Sequence, residues 1–318
     1  MSNSRNGIQE ILVALYQPET VGGNSQAWPL LRQTFFSEGR AGRVRFFLTE
    51  KVCVLSDASW IVSFGGAPIP IEILRIFPKN RRIYVQMEHP AFFAPDVNYV
   101  ANYGVAISPF EIKPSDGNTY LRSHAGSPWL YGIPFSANSG LTHEISVGKP
   151  LELQDLVSMK KPLKTKKLSC VVSQKTLTAG QVWRLQLAKR IKELRPDLID
   201  VYGFGSNPIS DKRDAIDPYE YTLSIENFAS DSYWTEKLSD AILGYACPIY
   251  AGAQHIKNYF SSGIVNLPYG GDVDELARFV IARVEEAPDQ TALYENRLKV
   301  LFDYNIFYML RDYISRWS

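Results

Sequence analysis

The apolar residues of this chain come in short runs that Gly, Pro and Asn interrupt, and this pattern limits the folds open to it. Such runs are typical of buried strands. The predicted strands of the first half are Ile11 to Tyr16, Val44 to Leu48, Trp60 to Phe64, Arg82 to Gln86 and Tyr103 to Ile107, with a helix at Gln26 to Ser37. Nearly continuous apolar strands that alternate with helices favour a parallel sheet covered on both faces.

A second alternation of strands and helices begins after residue 165. The predicted strands are Leu168 to Ser173, Leu198 to Phe204, Tyr221 to Glu226, Pro248 to Ala251 and Gly263 to Leu267, and the predicted helices are Gln181 to Leu194, Tyr233 to Tyr245 and Asp274 to Glu286. This order predicts a second parallel sheet built from βαβ units. For a chain of 318 residues, we therefore expect two α/β domains with a cleft between them.

A lysine-rich stretch separates the two predicted domains. Gly148, Pro150 and Pro162 bracket it, and its lysines are Lys160, Lys161, Lys164, Lys166 and Lys167. Because runs of like charge usually lie in solvent, we interpret it as a solvated linker in preference to a phosphate or membrane patch. The predicted domains are residues 1–155 and residues 165–318, and the terminal helix of the second can cross back to the first.

The balance of charges argues against one class of partner. The chain has 34 Lys and Arg against 33 Asp and Glu, a net charge of +1, whereas proteins that bind nucleic acid by neutralising phosphates carry a basic surplus. Its three cysteines lie far apart without a CxxC pair, which indicates neither a zinc site nor a disulfide framework. The polar start of the chain and the lack of a long apolar segment predict a cytoplasmic protein.

The densest group of polar residues lies between positions 224 and 238, where a predicted strand ends and a helix begins. Ligands of parallel α/β sheets collect at this edge, and a helix N-terminus offers free N–H groups to an anionic diphosphate. Lys237 adds a positive charge, and Glu236 can accept hydrogen bonds from sugar hydroxyls. The alternative is structural: Asp231 or Ser232 caps the helix, and Glu226 is a paired surface carboxylate. The residues alone leave both interpretations open.

The same segment carries a resemblance to a known family. Residues 221–252, YTLSIENFASDSYWTEKLSDAILGYACPIYAG, resemble the signature of glycosyltransferase family 10, the α-1,3/α-1,4-fucosyltransferases. The resemblance is to the bacterial type of this family. That signature has a strand ending in Phe-Glu-Asn, then Tyr-x-Thr-Glu-Lys, an apolar helix and a Pro-x-Tyr/Val-x-Gly strand. Ile225 stands where the family usually has phenylalanine. Thinner similarity lies at Tyr84 to Pro90, Cys170 to Gln174 and Asp200 to Gly203.

The resemblance implies a GT-B fold of two Rossmann-like domains and an inverting transfer of L-fucose from GDP-β-L-fucose to a hydroxyl of a saccharide acceptor. It implies a donor site on the C-terminal domain and a general base, Glu88, in the N-terminal domain. The donor-binding residues that it implies are Arg184, with Arg190 as second choice, and Glu226, Asn227, Tyr233, Thr235, Glu236 and Lys237. The implied reaction requires no metal and no cofactor.

Two other functions stay open beside the fucosyltransferase. The first has the same fold and mechanism with a different nucleotide-sugar donor. This alternative stays open because the signature specifies binding of the nucleotide and phosphates better than binding of the sugar. The second is a catalytically silent carbohydrate-binding protein. The acceptor, the linkage and the oligomeric state are not specified by the sequence. Peripheral association with the inner membrane face also stays open, for an acceptor that is lipid-linked.

Other motifs receive structural interpretations. Asp272-Val273-Asp274 is a DxD string, but it opens a predicted helix, where acidic residues complement the dipole, and two carboxylates underfill an octahedral metal site. The four histidines share no metal-binding spacing. Residues 293–317 have apolar side chains near helical spacing, and we expect a terminal helix packed on the protein in preference to a membrane-surface helix.

Overall fold

The structure is a computed structural model that describes residues 10–16, 31–49, 51–65, 68–94, 96–112, 118–124, 126–134, 149–203 and 205–318. Contacts between Cα atoms divide the chain into two compact units. The first unit comprises residues 1–126, 152–154 and 304–318, and the second comprises residues 127–151 and 155–303. The sequence predicts one boundary between residues 155 and 165, whereas in the structure the chain passes between the units several times.

The first unit contains a seven-stranded sheet. Its strands are β1 (Ile11–Tyr16), β2 (Arg40–Ala41), β3 (Val44–Thr49), β4 (Trp60–Phe64), β5 (Arg82–Val85), β6 (Val105–Ser108) and β7 (Thr119–Arg122). The spatial order is β2-β3-β1-β4-β5-β6-β7, and every pair is parallel except β2 with β3. Val13 and Leu15 enter one apolar cluster while Ala14 enters another, because alternate side chains of a strand point to opposite faces. Both faces are therefore covered, as the apolar runs predict.

The second unit contains a five-stranded parallel sheet. Its strands are β8 (Lys166–Val171), β9 (Ile199–Tyr202), β10 (Tyr219–Ser230), β11 (Cys247–Ala253) and β12 (Val265–Asn266), in the order β12-β11-β10-β8-β9. Leu168, Leu223 and Ile249 on its strands share one buried core with Leu187 and Ile191. The predicted α/β class, with two separate parallel sheets, is confirmed.

Helices connect the strands. The α-helices of the described residues are α1 (Ile71–Leu74), α2 (Val97–Val100), α3 (Leu153–Ser158), α4 (Ala179–Leu194), α5 (Arg213–Ile216), α6 (Glu236–Leu243), α7 (Val273–Arg283), α8 (Gln290–Leu298) and α9 (Ile306–Arg316). None of them combines the length and the apolar character that a membrane crossing needs. The terminal helix α9 belongs to the first unit, where Ile306, Phe307, Leu310 and Ile314 are buried in the cluster that contains Val13.

Several predicted elements differ from the structure by a few residues at their ends, and two of them are helices near residues 35 and 235. The helix predicted at Gln26 to Ser37 lies partly outside the described residues, and its predicted end is wrong, since Phe35–Ser37 form a 3-10 turn in which Phe36 has a φ of 55°. The helix predicted at Tyr233 to Tyr245 spans only Glu236–Leu243. It starts later because the chain before it forms a separate turn, described below.

The lysine-rich stretch is part of the fold of the second unit. Lys166 and Lys167 lie in β8, and each ammonium group is 3.0 Å from a carboxylate oxygen, of Asp200 and Glu220 respectively. The Nζ of Lys164 donates to the backbone carbonyls of Ile216, at 3.1 Å, and Gly244, at 2.6 Å, which end α5 and α6. A cation at the negative end of a helix dipole is favourable. The interpretation as a solvated linker is therefore wrong for these lysines.

Candidate functional site

The end of β10 and the start of α6 form a tight turn in the second unit. The backbone N–H of Tyr233 donates to the Ser230 hydroxyl, 2.9 Å away. Thr235 is the N-cap of α6, and its hydroxyl accepts from the N–H of Lys237. Thr235 thus takes the capping role that the structural alternative gave to Asp231 or Ser232, and that expectation is wrong.

Glu226, near the end of β10, is fully buried beneath this turn. Its carboxylate accepts from the backbone N–H of Thr235 at 2.8 Å and from the Thr235 hydroxyl at 2.8 and 3.0 Å. The Nζ of Lys237 lies 3.4 Å from the same carboxylate. Burial raises the pKa of Glu226, against the lowering effect of Lys237. Glu226 therefore anchors the first turn of α6 and is not the surface carboxylate of the structural alternative.

Glu236 and Lys237 open α6 side by side. The Nζ of Lys237 is 3.2 Å from the Oε1 of Glu236. Burial alone would raise the pKa of Glu236, but Lys237 and Lys212 lower it to about 2. Burial alone would lower the pKa of Lys237, but Glu236 and Glu226 raise it above its usual value. At neutral pH this part of the site holds a fixed carboxylate beside a fixed ammonium group.

Arg184 reaches the same turn from α4. Its guanidinium donates to the side-chain oxygen of Asn227 at 2.9 Å, and only 7% of the residue is exposed. Within the described ranges its Nε has no hydrogen-bond partner and the guanidinium forms no ion pair. Burial lowers the pKa of Arg184. Because a buried charge is costly unless it is paired, Arg184 is a cation prepared for an anion.

A glycine allows this approach of α4 to β10. Gly180 lies in the first turn of α4, which the capping box of Thr178 and Gln181 begins. A Cβ atom at Gly180 would overlap the backbone of Asn227 and the hydroxyl of Tyr269. The small residue thus lets the start of α4 lie against the end of β10, and Arg184 follows one turn later.

A small cavity of about 30 Å³ opens between β8, β10, α4 and α6. Three cations line it, Arg184, Lys212 and Lys237, together with one carboxylate, that of Asp240. This volume suits one or two water molecules, so the cavity is lined by charged side chains but is too small for a nucleotide. Lys212 and Asp240 were absent from the sequence-based set, because no motif or periodicity marks the loop that carries Lys212.

The predicted residues of the second unit divide into groups. Arg184, Asn227, Thr235, Glu236 and Lys237 come together with Glu226 at the turn, as described. Tyr233 is 5% exposed, and its backbone carbonyl accepts from the Tyr250 hydroxyl at 3.5 Å. The second-choice residue Arg190 lies elsewhere on α4, where it pairs with Asp274 and Glu193.

Glu88, the predicted general base, belongs to the first unit and is exposed just after β5. The buried side chain of Gln86 donates to the backbone carbonyl of Glu88 at 3.2 Å and accepts from the Ser108 hydroxyl at 2.9 Å. The next residue, His89, accepts from the N–H of Ala91 and packs edge-on against Phe110. Burial lowers the pKa of His89, which favours its neutral form. The backbone that carries Glu88 is thus held in place, and the residue is exposed.

The DxD string has structural contacts. Asp272 is the N-cap of α7 and accepts from the N–H of Glu275 at 2.8 Å. Asp274 pairs with Arg190. Both carboxylates thus have partners within the second unit.

The second unit contains a segment that matches a known protein family. Residues 161–268 match the family model described as "Glycosyltransferase family 10 (fucosyltransferase) C-term". These residues form a family 10 glycosyltransferase domain. The match contains β8 to β12, α4 to α6 and the whole signature predicted at residues 221–252. The recognition of this family from sequence is confirmed, and the chain is a glycosyltransferase.

Solved structures of similar fold agree with this. An α1,3-fucosyltransferase with GDP-fucose is 15% identical, with a TM-score of 0.50 over 93% of this chain and 84% of that chain. Another structure of an α1,3-fucosyltransferase is 16% identical, with a TM-score of 0.51 over 93% and 83%. An α-glucosyltransferase in complex with UDP and a 13-mer DNA is 9% identical, with a TM-score of 0.51 over 94% and 95%. No curated protein matches the chain. At these identities the similarity concerns the fold, which is that of GT-B glycosyltransferases.

Proposed function

We propose that the protein transfers L-fucose from GDP-β-L-fucose to a hydroxyl of a saccharide acceptor, with inversion at the transferred carbon. The observation that carries the proposal is Arg184, a buried cation whose guanidinium forms no close ion pair within the described chain, inside a family 10 domain. A diphosphate would give this cation a directly bonded anion. Two similar solved structures, of α1,3-fucosyltransferases with GDP-fucose and with GDP, support this class of donor.

The donor half of the reaction draws on the turn between β10 and α6. As the sugar–phosphate bond breaks, its electron pair goes to GDP, and the negative charge grows on the diphosphate. Arg184, Lys237 and the positive end of the α6 dipole would stabilise this charge. Because these groups are buried and held by their neighbours, they need little rearrangement during the reaction. Asn227 supports the process indirectly by fixing the guanidinium of Arg184.

Glu236 would accept hydrogen bonds from hydroxyl groups of the donor. Its low pKa keeps it ionised at neutral pH, and an ionised carboxylate only accepts. The neighbouring ammonium groups fix the orientation of its Oε1 atom. Such a group distinguishes a sugar with hydroxyls in suitable positions from one without them.

The acceptor half of the reaction is assigned to Glu88. Its carboxylate would take the proton of the attacking hydroxyl while the new bond to the sugar carbon forms. Inversion follows when attack comes from the side opposite to the departing diphosphate. The carboxylate, the acceptor hydroxyl and the GDP leaving group account for the proton and the electrons, so no metal or cofactor is required for the reaction as proposed.

A second candidate is the same reaction with a different nucleotide-sugar donor. The similar α-glucosyltransferase, solved in complex with UDP, shares the fold at a TM-score of 0.51. Arg184 and Lys237 supply positive charge for a diphosphate, which GDP and UDP share. These two residues therefore do not determine which nucleobase is bound. Nucleotide preference therefore separates the two candidates.

Titration of the purified protein with GDP and, separately, UDP tests the proposal. We expect saturable calorimetric binding of GDP and a much weaker response to UDP. Incubation with GDP-fucose and a panel of saccharides, N-acetyllactosamine among them, should then release GDP. A preference for UDP would favour the second candidate. If neither nucleotide binds, the donor-site assignment is contradicted.

A further inference from the structure

Lys212 lies immediately before α5 and reaches the positively lined cavity. Its Nζ is 2.7 Å from the Oδ2 of Asp240 and 3.9 Å from the Oε1 of Glu236. Only 16% of the Lys212 side chain is exposed. A buried ammonium group between two carboxylates has little freedom to move, so its position constrains both of its partners.

Asp240 holds Lys212 from one side. It lies one helical turn after Glu236 on α6, so the two carboxylates share a face of the helix. The Asp240 side chain is 2% exposed, and its Oδ1 accepts from the backbone N–H groups of Leu130 and Tyr131 at 2.9 and 3.0 Å. With one oxygen on the backbone and the other on Lys212, Asp240 is fully engaged. Asp240 therefore fixes the Lys212 ammonium group and does not itself bind the ligand.

Glu236 meets two ammonium groups through the same oxygen. Lys237 is 3.2 Å and Lys212 3.9 Å from its Oε1. Both cations therefore hold the carboxylate from the side of this oxygen. The Glu236 side chain is 20% exposed.

We propose that Lys212 is a positioning residue for the transferred sugar, which orients the Glu236 carboxylate so that it accepts hydrogen bonds from hydroxyls of that sugar. This inference rests on the proposed function, in which Glu236 contacts the donor. Lys212 acts on the sugar through Glu236, whereas Arg184 and Lys237 act on the diphosphate. The distinction is testable because GDP lacks the fucosyl group that GDP-fucose carries.

The charge on Glu236 depends on several neighbours. The charged groups that act on it are Lys212, Lys237, Arg184, Glu226 and Asp240. Burial alone would raise the pKa of Glu236, and the lysines, Lys237 before Lys212, lower it to about 2. Loss of Lys212 should therefore raise this pKa, and the direction is independent of any ligand.

Calorimetric titration of Lys212→Met with GDP and GDP-β-L-fucose separates the two roles. We expect GDP-fucose to lose roughly tenfold in affinity, the lower range for a charge-assisted contact, while GDP changes little. Lys212→Arg should recover most of the loss because it keeps the charge. Lys167→Met, which removes a half-exposed paired lysine of the same unit, is the matched control. An equal loss for both ligands would make Lys212 a phosphate contact and overturn the proposal, as would no loss.

A lone substitution leaves Asp240 buried without its cation and can unfold the protein, so Lys212→Met is repeated with Asp240→Asn. The double variant removes both charges, and we expect the same selective loss of GDP-fucose affinity. Equal affinities for GDP-fucose in this variant and in the unmodified protein would overturn the proposal.

A measurement without nucleotide separates this inference from the proposed function. Carboxyl resonances of ¹³C-labelled glutamate are followed by NMR against pH, and Glu236→Gln assigns the signal of Glu236. We expect Lys212→Met to raise the pKa of Glu236 and Lys167→Met to leave it in place. An unchanged titration in Lys212→Met would contradict the coupling, whether or not the protein binds GDP.

Discussion

The turn after β10 and the turn after β5 both follow a parallel strand at its carboxyl end, yet they present charge differently. At the first turn Glu226, Glu236 and Lys237 are held by each other. At the second turn Glu88 is exposed, although Gln86 holds its backbone. Buried, fixed charges suit an invariant ligand such as a diphosphate, and the proposed function gives the exposed Glu88 the proton of the acceptor hydroxyl. In that proposal the two turns serve the two halves of the transfer reaction.

The largest expected effect concerns the exposed turn. Glu88→Gln should lower kcat with GDP-fucose by roughly 10²- to 10⁴-fold, because it removes the proton acceptor. GDP affinity should stay unchanged. Turnover is measured with the saccharide that supports the highest rate of the unmodified protein, and Glu72→Gln, at another exposed glutamate of the first unit, is the control. Unchanged turnover in Glu88→Gln would remove this residue from the mechanism.

The buried turn is tested next. Glu226→Gln removes one of the two carboxylates that lie beside the Lys237 ammonium group. Breaking a buried ion pair of this kind costs about 3 to 5 kcal/mol of stability. We expect a large loss in the free energy of unfolding by urea, with GDP binding kept at temperatures where the variant is folded. A lost GDP affinity with unchanged stability would show instead that Glu226 contacts the donor, as the family resemblance implies.

Lys164 sharpens the comparison because it is a cation of the second unit that faces helix carbonyls. Burial lowers its pKa to about 8, and in the unfolded chain a lysine titrates near 10.4. Between these pKa values the unfolded state binds more protons, so stability should rise with pH. Relative to Lys164→Met, the unmodified protein should gain roughly 2 to 3 kcal/mol between pH 8 and 10.5. Lys160→Met, at an exposed lysine of the same run, should leave this slope intact, and a missing slope in the unmodified protein would contradict the burial of Lys164.

The smallest effect is expected at the DxD string. Asp272→Ala should lower stability by about 1 kcal/mol through loss of the α7 N-cap, and Asp274→Ala should lower it less. Both variants should bind GDP normally, with and without added Mn²⁺. Mn²⁺-dependent GDP binding that disappears in Asp272→Ala would assign the string to the donor site instead.

The bounds of an element were predicted well from the sequence where the hydrophobic pattern alone determined them. Apolar runs with clear boundaries gave β1 and β4 their limits to the residue, because each run was buried on both faces. The start of α6 was misplaced, since the apolar stripe begins at Trp234 but Thr235 caps the helix. The burial of Glu226 and Lys164 was missed for a related reason. Both depend on partners distant in sequence, which local patterns do not contain.

Much of the site was predicted from the family resemblance, but contacts between distant segments were missed. Glu236 and Lys237 lie within the signature, and Arg184 was found on the helix that follows the thinner similarity at Cys170 to Gln174. Lys212 and Asp240 form a contact between a loop and a helix that are 28 positions apart. Only the fold brings such a pair together, and no spacing rule describes it.

The central claim is that Arg184 is the buried cation that binds the donor diphosphate, and a matched pair of variants on α4 tests it directly. GDP affinity is measured by calorimetry for Arg184→Ala and Arg190→Ala. We expect Arg184→Ala to weaken GDP binding by about 10- to 150-fold, the range of a lost charge-assisted contact. Arg190→Ala, which removes a surface arginine paired with Asp274, should leave GDP affinity unchanged. Equal GDP affinity in Arg184→Ala and the unmodified protein would contradict the claim.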